Sequence, residues 1–466
     1  MGKTGKLSAW TKLKFGIGDF GMSAITALLQ FYMLFYYTDV VKIDPAIAGT
    51  AILVGKLTWD MINDVLFGYL EDRTRSRFGR RRPYLIFCAV PLMLSFWLLL
   101  ALPEGMSNLL AFLAIIGTFC LFDTFNTLIV TAYYAMTAEL TMDYDERTSV
   151  STYRMIFNIV GYIFGAGVVT MLAKTIADAS GVSVREAWST VGLLFGALAA
   201  VTVLIPGLFV KNRPAVSAAA TTMPPIRAIT STIKNKPFMK YLTISMIMST
   251  AFTLVTTMLP YFLIYQMDME SSQMLVMVLM MGTLALFLIP CAKVVGKLGK
   301  AKTYALGLMI ACAALIAAFF LPNRENAAIY IISFVAGLGF SSQWVCPHSM
   351  MPDVIEYDEL VTGERREGIY YGMSAMAGKV TGALGSAICG WGLKLSGYVE
   401  GGKQTSEALA GIRTLFALLP AVLLLVCVPL LIKYPITRES HAAVLRQLES
   451  RRAGGEAAEN EEGGIL

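Results

Sequence analysis

The chain has 466 residues, of which 56% are apolar and 15% are charged. Soluble domains carry about 25% charged residues, so this composition excludes a disordered chain and leaves no room for a large soluble enzyme domain. The mean hydropathy of +0.63 indicates a protein dissolved mostly in lipid, in which the distribution of the +6 net charge matters more than its size.

Twelve apolar segments follow one another along the chain, and each is long enough to cross a bilayer core of about 30 Å as a helix. We predict them at 14–37, 46–71, 84–103, 107–138, 152–175, 187–211, 238–266, 269–294, 302–321, 326–352, 369–395 and 405–434. Most of the 38 Lys and Arg residues lie on one side of this topology when the N-terminus is inside, so the positive-inside rule predicts two cytoplasmic termini. The predicted fold class is an all-α membrane protein with twelve transmembrane helices in two six-helix halves.

A stretch rich in Pro, Ala, Thr and Lys divides the twelve segments into two sets of six. The predicted domains are a first six-helix bundle at 1–211, a cytoplasmic connector at 212–236, a second bundle at 237–434 and a cytoplasmic tail at 435–466. The acidic loop after the fourth segment, at 139–147, recurs in part after the tenth segment, at 353–359. Recurring loops predict parallel repeats, which bind substrate near the bilayer midplane and work by rocking of the halves.

The second segment carries Lys56, Asp60 and Asp64 at intervals of four residues, so these charges share one face of its helix. A charge at this depth costs at least about 2.5–3.5 kcal/mol and marks a functional site by default. Two carboxylates one turn apart repel each other, so one must be protonated or the pair must hold a cation. Oxygens of Asp60, Asn63 and Asp64 suit a hard cation such as Na⁺, which we predict at Asp60 and Asp64. The alternative is a structural cluster in which Lys56 neutralises one carboxylate.

Two other segments place polar residues at a similar depth. Thr127 on the fourth segment lies level with Asp60 by helical rise and offers a neutral oxygen to the same cation. Asp123, one turn further out on the same face, is either a substrate ligand or the partner of a lysine or of a polar helix contact. Lys379 on the eleventh segment needs a carboxylate, and we predict that it couples the two halves; a static tether is the alternative.

Three further residues are candidate substrate ligands. Asp19, near the start of the first segment, offers a carboxylate to substrate hydroxyls, unless it is an interfacial helix-end group. Tyr134 and Trp344 offer apolar platforms for a sugar ring or an acyl chain, although aromatic residues in such segments more often serve packing.

An arginine-rich loop follows the second segment. Part of its role is topological, and bidentate bonds from its arginines to helix-end carboxylates would close the inner end of the protein. The predicted gate residues are Asp72, Arg73, Arg80, Arg147 and Asp353.

The sequence contains no GxSxG, HExxH or Walker A motif. We therefore expect no enzyme activity and no cofactor, and any coupling must use an ion gradient. The seven cysteines lie in apolar runs without paired spacing, which predicts buried thiols.

At these residues the chain resembles the glycoside–pentoside–hexuronide:cation symporters of the major facilitator superfamily over nearly its whole length. The resemblance is carried by GIGDFG at 16–21, FYYTDVV at 35–41, WDMIND at 59–64, GYLEDRTRSRFGRRRPYL at 68–85, AYYAMTAELTMDYDERT at 132–148 and MPDVIEYDELVTGERREGIYYG at 351–372. It implies two six-helix halves and the symport of a sugar or glycoside with Na⁺, H⁺ or Li⁺.

The resemblance also implies residue roles. It assigns the cation to Asp60, Asn63, Asp64 and Thr127. It assigns positions at or near the sugar to Asp19, Tyr134, Arg154, Trp344 and Lys379.

The chain departs from the family pattern at the sugar site. Val130 stands where the family has a sugar-binding Asp, Ala132 and Val65 replace prolines, and Lys56 precedes Asp60 by four residues instead of three. Cation coupling is therefore expected to be preserved and the sugar contacts to be altered, with Asp123 as a candidate replacement for the missing carboxylate.

The expected protein is a cation-coupled symporter that works by alternating access as a monomer in a cell membrane, such as a bacterial inner membrane, without nucleic acid. One alternative is a Na⁺-coupled lysolipid carrier, since related animal symporters move lysophospholipids and Val130 makes the site more apolar. A membrane sensor that binds ligand without transporting it is an alternative of another class.

Overall fold

Helices make up nearly all of the regular structure in the computed structural model, which describes residues 7–141, 143–210, 232–364 and 366–462. Within these ranges the side chains at 64, 65, 68, 69, 72, 138, 144, 145 and 451–462 are left out. The side chains of the predicted site residues Asp64 and Asp72, and the connector as far as 231, therefore lie outside the described residues.

The helices fall into two groups along the chain. The first half contains α1 (Ala9–Gly16), α2 (Gly18–Phe35), α3 (Pro45–Arg73), α4 (Arg82–Phe87), α5 (Ala89–Leu99), α6 (Asn108–Leu140), α7 (Tyr144–Gly167), α8 (Val169–Ser180) and α9 (Val184–Phe209). The second half contains α10 (Lys236–Tyr261), α11 (Gln273–Leu286), α12 (Leu288–Leu298), α13 (Lys300–Phe319), α14 (Ala328–Thr362), α15 (Glu367–Leu395), α16 (Ser406–Arg413) and α17 (Leu419–Ile432), and α18 (Arg438–Glu462) follows. Short π-helical turns occur at Tyr36–Val40, Phe262–Gln266 and Thr414–Leu418, and a 3₁₀ turn at Glu270–Ser272.

Polar caps fix where several of the apolar helices begin. Asp44 accepts hydrogen bonds from the backbone N–H of Ala46 and Ile47 at the start of α3. Ser183 and Glu186 form a capping box at the start of α9. These side chains satisfy backbone N–H groups that have no partner inside the helix, so they set the helix ends in the sequence.

Each of the twelve predicted segments contains helix, and several of these helices are broken or bent. Among the described residues, seven helices are long and apolar enough to cross a membrane, and up to nine spans result if two bent pairs each count as one. The bent pairs are α7 with α8, at 48°, and α11 with α12, at 44°. An all-helical membrane protein is thus supported, while the number twelve and the cytoplasmic position of the termini remain predictions.

The two halves meet mainly along three pairs of helices. α3 packs on α15, α2 on α10, and α7 on α11. Within the first half α2 lies against α7, where a Cβ atom added at Gly161 would fall 2.1 Å from the carbonyl oxygen of Phe20. Between the halves α3 and α15 approach as closely, since a Cβ at Gly390 would fall 2.3 Å from the carbonyl oxygen of Pro45.

The two ends of the bundle differ in how the halves touch. At the terminal end, which carries the first and last described helices, Leu7 N donates to Glu146 and His441 lies 2.6 Å from Glu356, both within one half. The opposite end carries the turn between α2 and α3 and the C-terminal end of α15.

The opposite end is closed by a cluster of hydroxyl groups around one carboxylate. Asp39 accepts hydrogen bonds from Thr38, at 2.5 Å, and from Tyr265 and Tyr398 of the second half. Thr38 also bonds Tyr261, with 2.7 Å between the two oxygens. We call these five residues the Asp39 cluster; it fastens the two halves together at this end.

Candidate functional site

An ion pair joins the two halves near the middle of α3 and α15. Lys379 Nζ lies 2.5 Å from Oδ1 of Asp60 and also donates to the Asp60 carbonyl oxygen at 2.8 Å. The two side chains are only 24% and 15% exposed. Removal of either partner from an ion pair this shielded from water would leave a buried charge without compensation, which is costly.

A second polar group lies on the same stretch of α3. Asn63 is fully buried and its Nδ2 donates to the Asp123 carboxylate of α6, which is 5% exposed. Lys56 interacts electrostatically with both Asp60 and Asp123. Asn63 Oδ1 is buried without a hydrogen-bond partner among the described residues. It is therefore an oxygen available to a cation, because buried polar atoms normally have a partner.

Of the predicted cation ligands, Asp60 and Asn63 lie on adjacent turns of α3, and Asn63 bonds Asp123 of α6. Thr127 is 5% exposed and follows Asp123 by one turn on α6. Asp123, predicted as a substrate ligand, lies in this cluster with Asn63 and Lys56. The alternative interpretation, a partner for a lysine and a polar helix contact, matches its contacts.

Arg154 organises a separate group in the first half. Its Nε donates to Oδ2 of Asp19 at 2.7 Å, and Nη1 donates to Thr137 at 2.7 Å. The guanidinium lies 4.4 Å from the ring centre of Tyr134, which is 48% exposed. This group offers a solvent-reachable aromatic face beside a buried charge pair, an arrangement suited to a sugar ring or another flat, partly apolar solute.

Trp344 lies in the second half and contacts the first. Its ring centre is 6.2 Å from that of Tyr162, and the two rings are nearly perpendicular. Val130 is partly buried and packs against the apolar core.

Sequence reasoning missed a polar cavity in the second half. It has a volume of about 170 Å³ and lies between α10, α13, α14 and α15, bordered by Ala377 and Gly378, directly before Lys379. Among the described residues, two buried polar atoms of its lining residues have no hydrogen-bond partner, the hydroxyl of Tyr304 and Oε1 of Gln343, whereas the hydroxyls of Ser245 and Ser374 lie against that of Tyr241. None of the described residues that line it is charged. A signal was present in the sequence, since Tyr241, Ser245 and Ser249 repeat at helical spacing in an apolar segment.

The ion pairs described for Arg80 and Asp353 each lie within one half. Arg80 and Arg81 pair with Glu139, with nitrogen–oxygen distances of 3.4 and 2.7 Å. Asp353 pairs with Lys300 at 2.6 Å. Arg73 and Arg147 are exposed at the same end. Their action as a gate remains a prediction, because the halves are fastened at the opposite end in this conformation.

Comparisons with known proteins agree with this architecture. The family model described as MFS/sugar transport protein matches residues 14–438. The chain belongs to this family. It is accordingly a multi-pass membrane transporter and not an enzyme.

Three proteins illustrate the similarity. An uncharacterized symporter of Synechocystis, sll1374, is 29% identical over 96% of this chain and 98% of its own length. The sodium-dependent lysophosphatidylcholine symporter 1 of Mus musculus is 24% identical over 97% of this chain and 90% of its own. The crystal structure of a mutant of the nucleoside transporter NupG superposes with a TM-score of 0.69 at 14% identity, over 91% of this chain and all of that one. This last likeness shows a shared fold alone.

Proposed function

We propose that this transporter is a symporter that couples a monovalent cation, Na⁺ or H⁺, to the movement of a hydroxyl-rich solute such as a saccharide. The observation that carries the proposal is the Lys379–Asp60 ion pair, which joins the halves beside the polar cluster of α3 and α6. A charge pair across a moving interface responds to any cation that competes with the lysine.

The balance of charges on these helices favours the binding of one cation. In the sequence, α3 and α6 supply three carboxylates, those of Asp60, Asp64 and Asp123, against the two positive charges of Lys56 and Lys379. The net charge of −1 in a region of low dielectric favours uptake of one Na⁺ or one proton. A cation held by Asp60 weakens its bond to Lys379, and substrate binding between the halves must strengthen cation binding by the same factor.

The uncharged cavity beside Lys379 supports a saccharide as the solute. Its unpartnered hydroxyl and amide groups are the kind of donors and acceptors that bind sugar hydroxyls, and an acyl chain would leave them unpaired at a cost of about 1–3 kcal/mol each. The family description, which names sugar transport, agrees.

The test measures flux and cation dependence in proteoliposomes. A panel of glycosides, pentoses and uronates is first screened for thermal stabilisation, with NaCl replaced by choline chloride in the matched arm. The best saccharide is then followed as radiolabelled uptake driven by an inward Na⁺ or proton gradient. Asp60→Asn should lose at least tenfold of the gradient-driven uptake. The control Asp268→Asn, at an exposed carboxylate outside the cluster, should keep it.

Full cation-stimulated uptake by Asp60→Asn would refute the proposal. A response to lysophosphatidylcholine instead of saccharides would favour the lysolipid carrier. That alternative is supported by the apolar Val130 and by the similarity to the sodium-dependent lysophosphatidylcholine symporter. Binding without any flux would favour a membrane sensor. A bacterial inner membrane and a monomeric state are part of the proposal.

A further inference from the structure

A second cavity lies at the terminal end, away from the ion pair and the polar cavity. Its volume of about 540 Å³ falls in the range of small-molecule sites. The walls are the junction of α12 and α13, the end of α17 and the start of α18.

The charged residues on its wall are mostly basic. The four basic residues are Lys297, Lys300, Lys302 and Arg438, against the carboxylates of Asp353 and Glu439. Lys300 donates to both carboxylate oxygens of Asp353, so this pair is internally neutral. Lys297 and Lys302 are exposed, and no carboxylate among the described residues lies within ion-pair distance of either. The cavity is therefore electropositive.

Two neutral features add hydrogen-bond donors to the same space. α13 begins after Gly299, whose φ is 85°, and no side chain caps its first N–H groups. Tyr434, a residue only 6% exposed, lines the cavity, and its buried hydroxyl has no hydrogen-bond partner in the part of the chain that the structure describes. Helix N-terminal amides together with lysines form a site for anions, phosphate in particular.

One wall of the cavity is apolar. Val295, Leu298, Leu431 and Ile432 belong to it, and Leu298 and Ile432 are 50% and 73% exposed on helices that end here. A ligand that fits both walls carries an anionic head and an apolar body.

We propose that this cavity binds the phosphate group of an anionic phospholipid at the membrane surface, a site separate from the transport pathway. The lysines and the Tyr434 hydroxyl hold the phosphate, and the apolar wall receives the first acyl methylenes. Because Lys300 also holds Asp353 of α14, and His441 of α18 holds Glu356 of α14, the bound lipid fastens α18 to the second half. A soluble phosphate ester shares the head-group chemistry and is the other source to be distinguished.

The experiment compares thermal unfolding of the full chain in nanodiscs of phosphatidylcholine with and without phosphatidylglycerol. Phosphatidylglycerol should raise the melting temperature of the unaltered protein. The variant with both Lys297→Gln and Lys302→Gln should need about thirtyfold more phosphatidylglycerol, since each lysine near an anionic surface contributes about fivefold. The matched control is Lys293→Gln, an exposed lysine one turn away on α12 that does not line the cavity.

Tyr434→Phe separates binding from folding. It removes a hydroxyl without a protein partner, so stability in phosphatidylcholine should be unchanged while the response to phosphatidylglycerol weakens. sn-Glycerol 3-phosphate added to phosphatidylcholine nanodiscs tests the soluble source, and an equal rise there would assign the site to a free phosphate ester. Equal responses of the double variant and Lys293→Gln, or no response of the unaltered protein to either phosphate, would overturn the proposal.

Discussion

At the scale of single residues, the ion pair of Asp60 and Lys379 makes the stability of the protein depend on the presence of both charges. Removing one partner of such a pair costs about 3–5 kcal/mol when the remaining charge stays buried. Lys379→Gln should therefore destabilise the protein by about 3 kcal/mol in the absence of a coupling cation, and the double variant with Asp60→Asn should regain most of that loss. Tryptophan fluorescence during thermal unfolding gives both values.

The control for this pair is Lys403→Gln, at an exposed lysine in the loop after α15. It should leave the melting temperature unchanged. If the double variant were as unstable as the two single changes added together, the pair would not be coupled as the distances indicate.

Tyr304 offers a different prediction, because its buried hydroxyl has no partner within the described ranges although the residue is only 1% exposed. Tyr304→Phe should leave stability unchanged and weaken saccharide binding about fivefold to tenfold, the usual worth of one hydrogen bond to a ligand. Tyr133→Phe is the contrasting variant. Its hydroxyl donates to the carbonyl oxygen of Phe15 at 2.6 Å, so its loss should lower stability. Calorimetric titration with the best saccharide and thermal unfolding measure the two effects; a lowered melting temperature for Tyr304→Phe would contradict the unpaired state.

For single residues, the sequence predicts the depth of a side chain in the membrane better than the neighbouring helix that the side chain faces. Helical rise places Asp60, Thr127 and Lys379 at one level, and the structure pairs Asp60 with Lys379. The rotation of α6 against α3, which turns Asp123 toward Asn63, depends on packing between distant segments and has no local signature. Serine and tyrosine in apolar helices occur for many reasons, so the cavity around Tyr304 was not predicted.

At the scale of elements, α15 provides a matched pair of glycines. A Cβ at Gly390 would fall 2.3 Å from the carbonyl oxygen of Pro45 in α3, whereas a Cβ at Gly382 meets nothing within 4 Å. Gly390→Ala should therefore push α3 and α15 apart at the opposite end and reduce uptake severalfold, and Gly382→Ala should have little effect. Hydrogen–deuterium exchange in the N-terminal turns of α3 reports the separation, and equal exchange in the two variants would argue against a tight crossing.

The positions at which helices break or bend were not predicted from the sequence. The segments predicted at 152–175 and 269–294 contain bends at Val168 and Phe287, neither of which is a proline. By contrast the caps at Asp44 and Ser183 use residue types typical of helix starts, so those boundaries follow from local chemistry.

At the scale of the whole molecule, two contacts hold the halves together at the opposite end, and their contributions to the free energy of closure differ. The Asp39 carboxylate accepts three hydrogen bonds, two of them from tyrosines of the second half. Hydrogen bonds to a charged group contribute about 1.5–3 kcal/mol each. The ion pair of Asp44 with Lys394 also spans the halves, but the lysine side chain is 54% exposed. Exposed pairs contribute about 0–1 kcal/mol, so the Asp39 cluster should dominate closure.

The prediction is that Asp39→Asn opens this end and Asp44→Asn does not. Asparagine keeps the shape of the side chain but loses the charge that strengthens the tyrosine bonds, so exchange at 36–44 should rise at least tenfold. Burial raises the pKa of the Asp44 carboxyl, but the hydrogen bonds from Lys394 and from Ala46 N–H outweigh it and hold that pKa below its usual range. A lowered pKa means that the contact is complete at neutral pH and is lost only as the pH falls through that value, below about pH 4.

Hydrogen–deuterium exchange between pH 5 and 8, corrected for the intrinsic rate, measures both effects in one series. Asp44→Asn and the unaltered protein should nearly match, because an exposed ion pair contributes little, and any difference should not change across this range, because the Asp44 carboxylate stays ionised. A large opening in Asp44→Asn, with none in Asp39→Asn, would transfer the closing role to the exposed ion pair. The closed end would then be sensitive to salt, which a buried hydroxyl cluster is not.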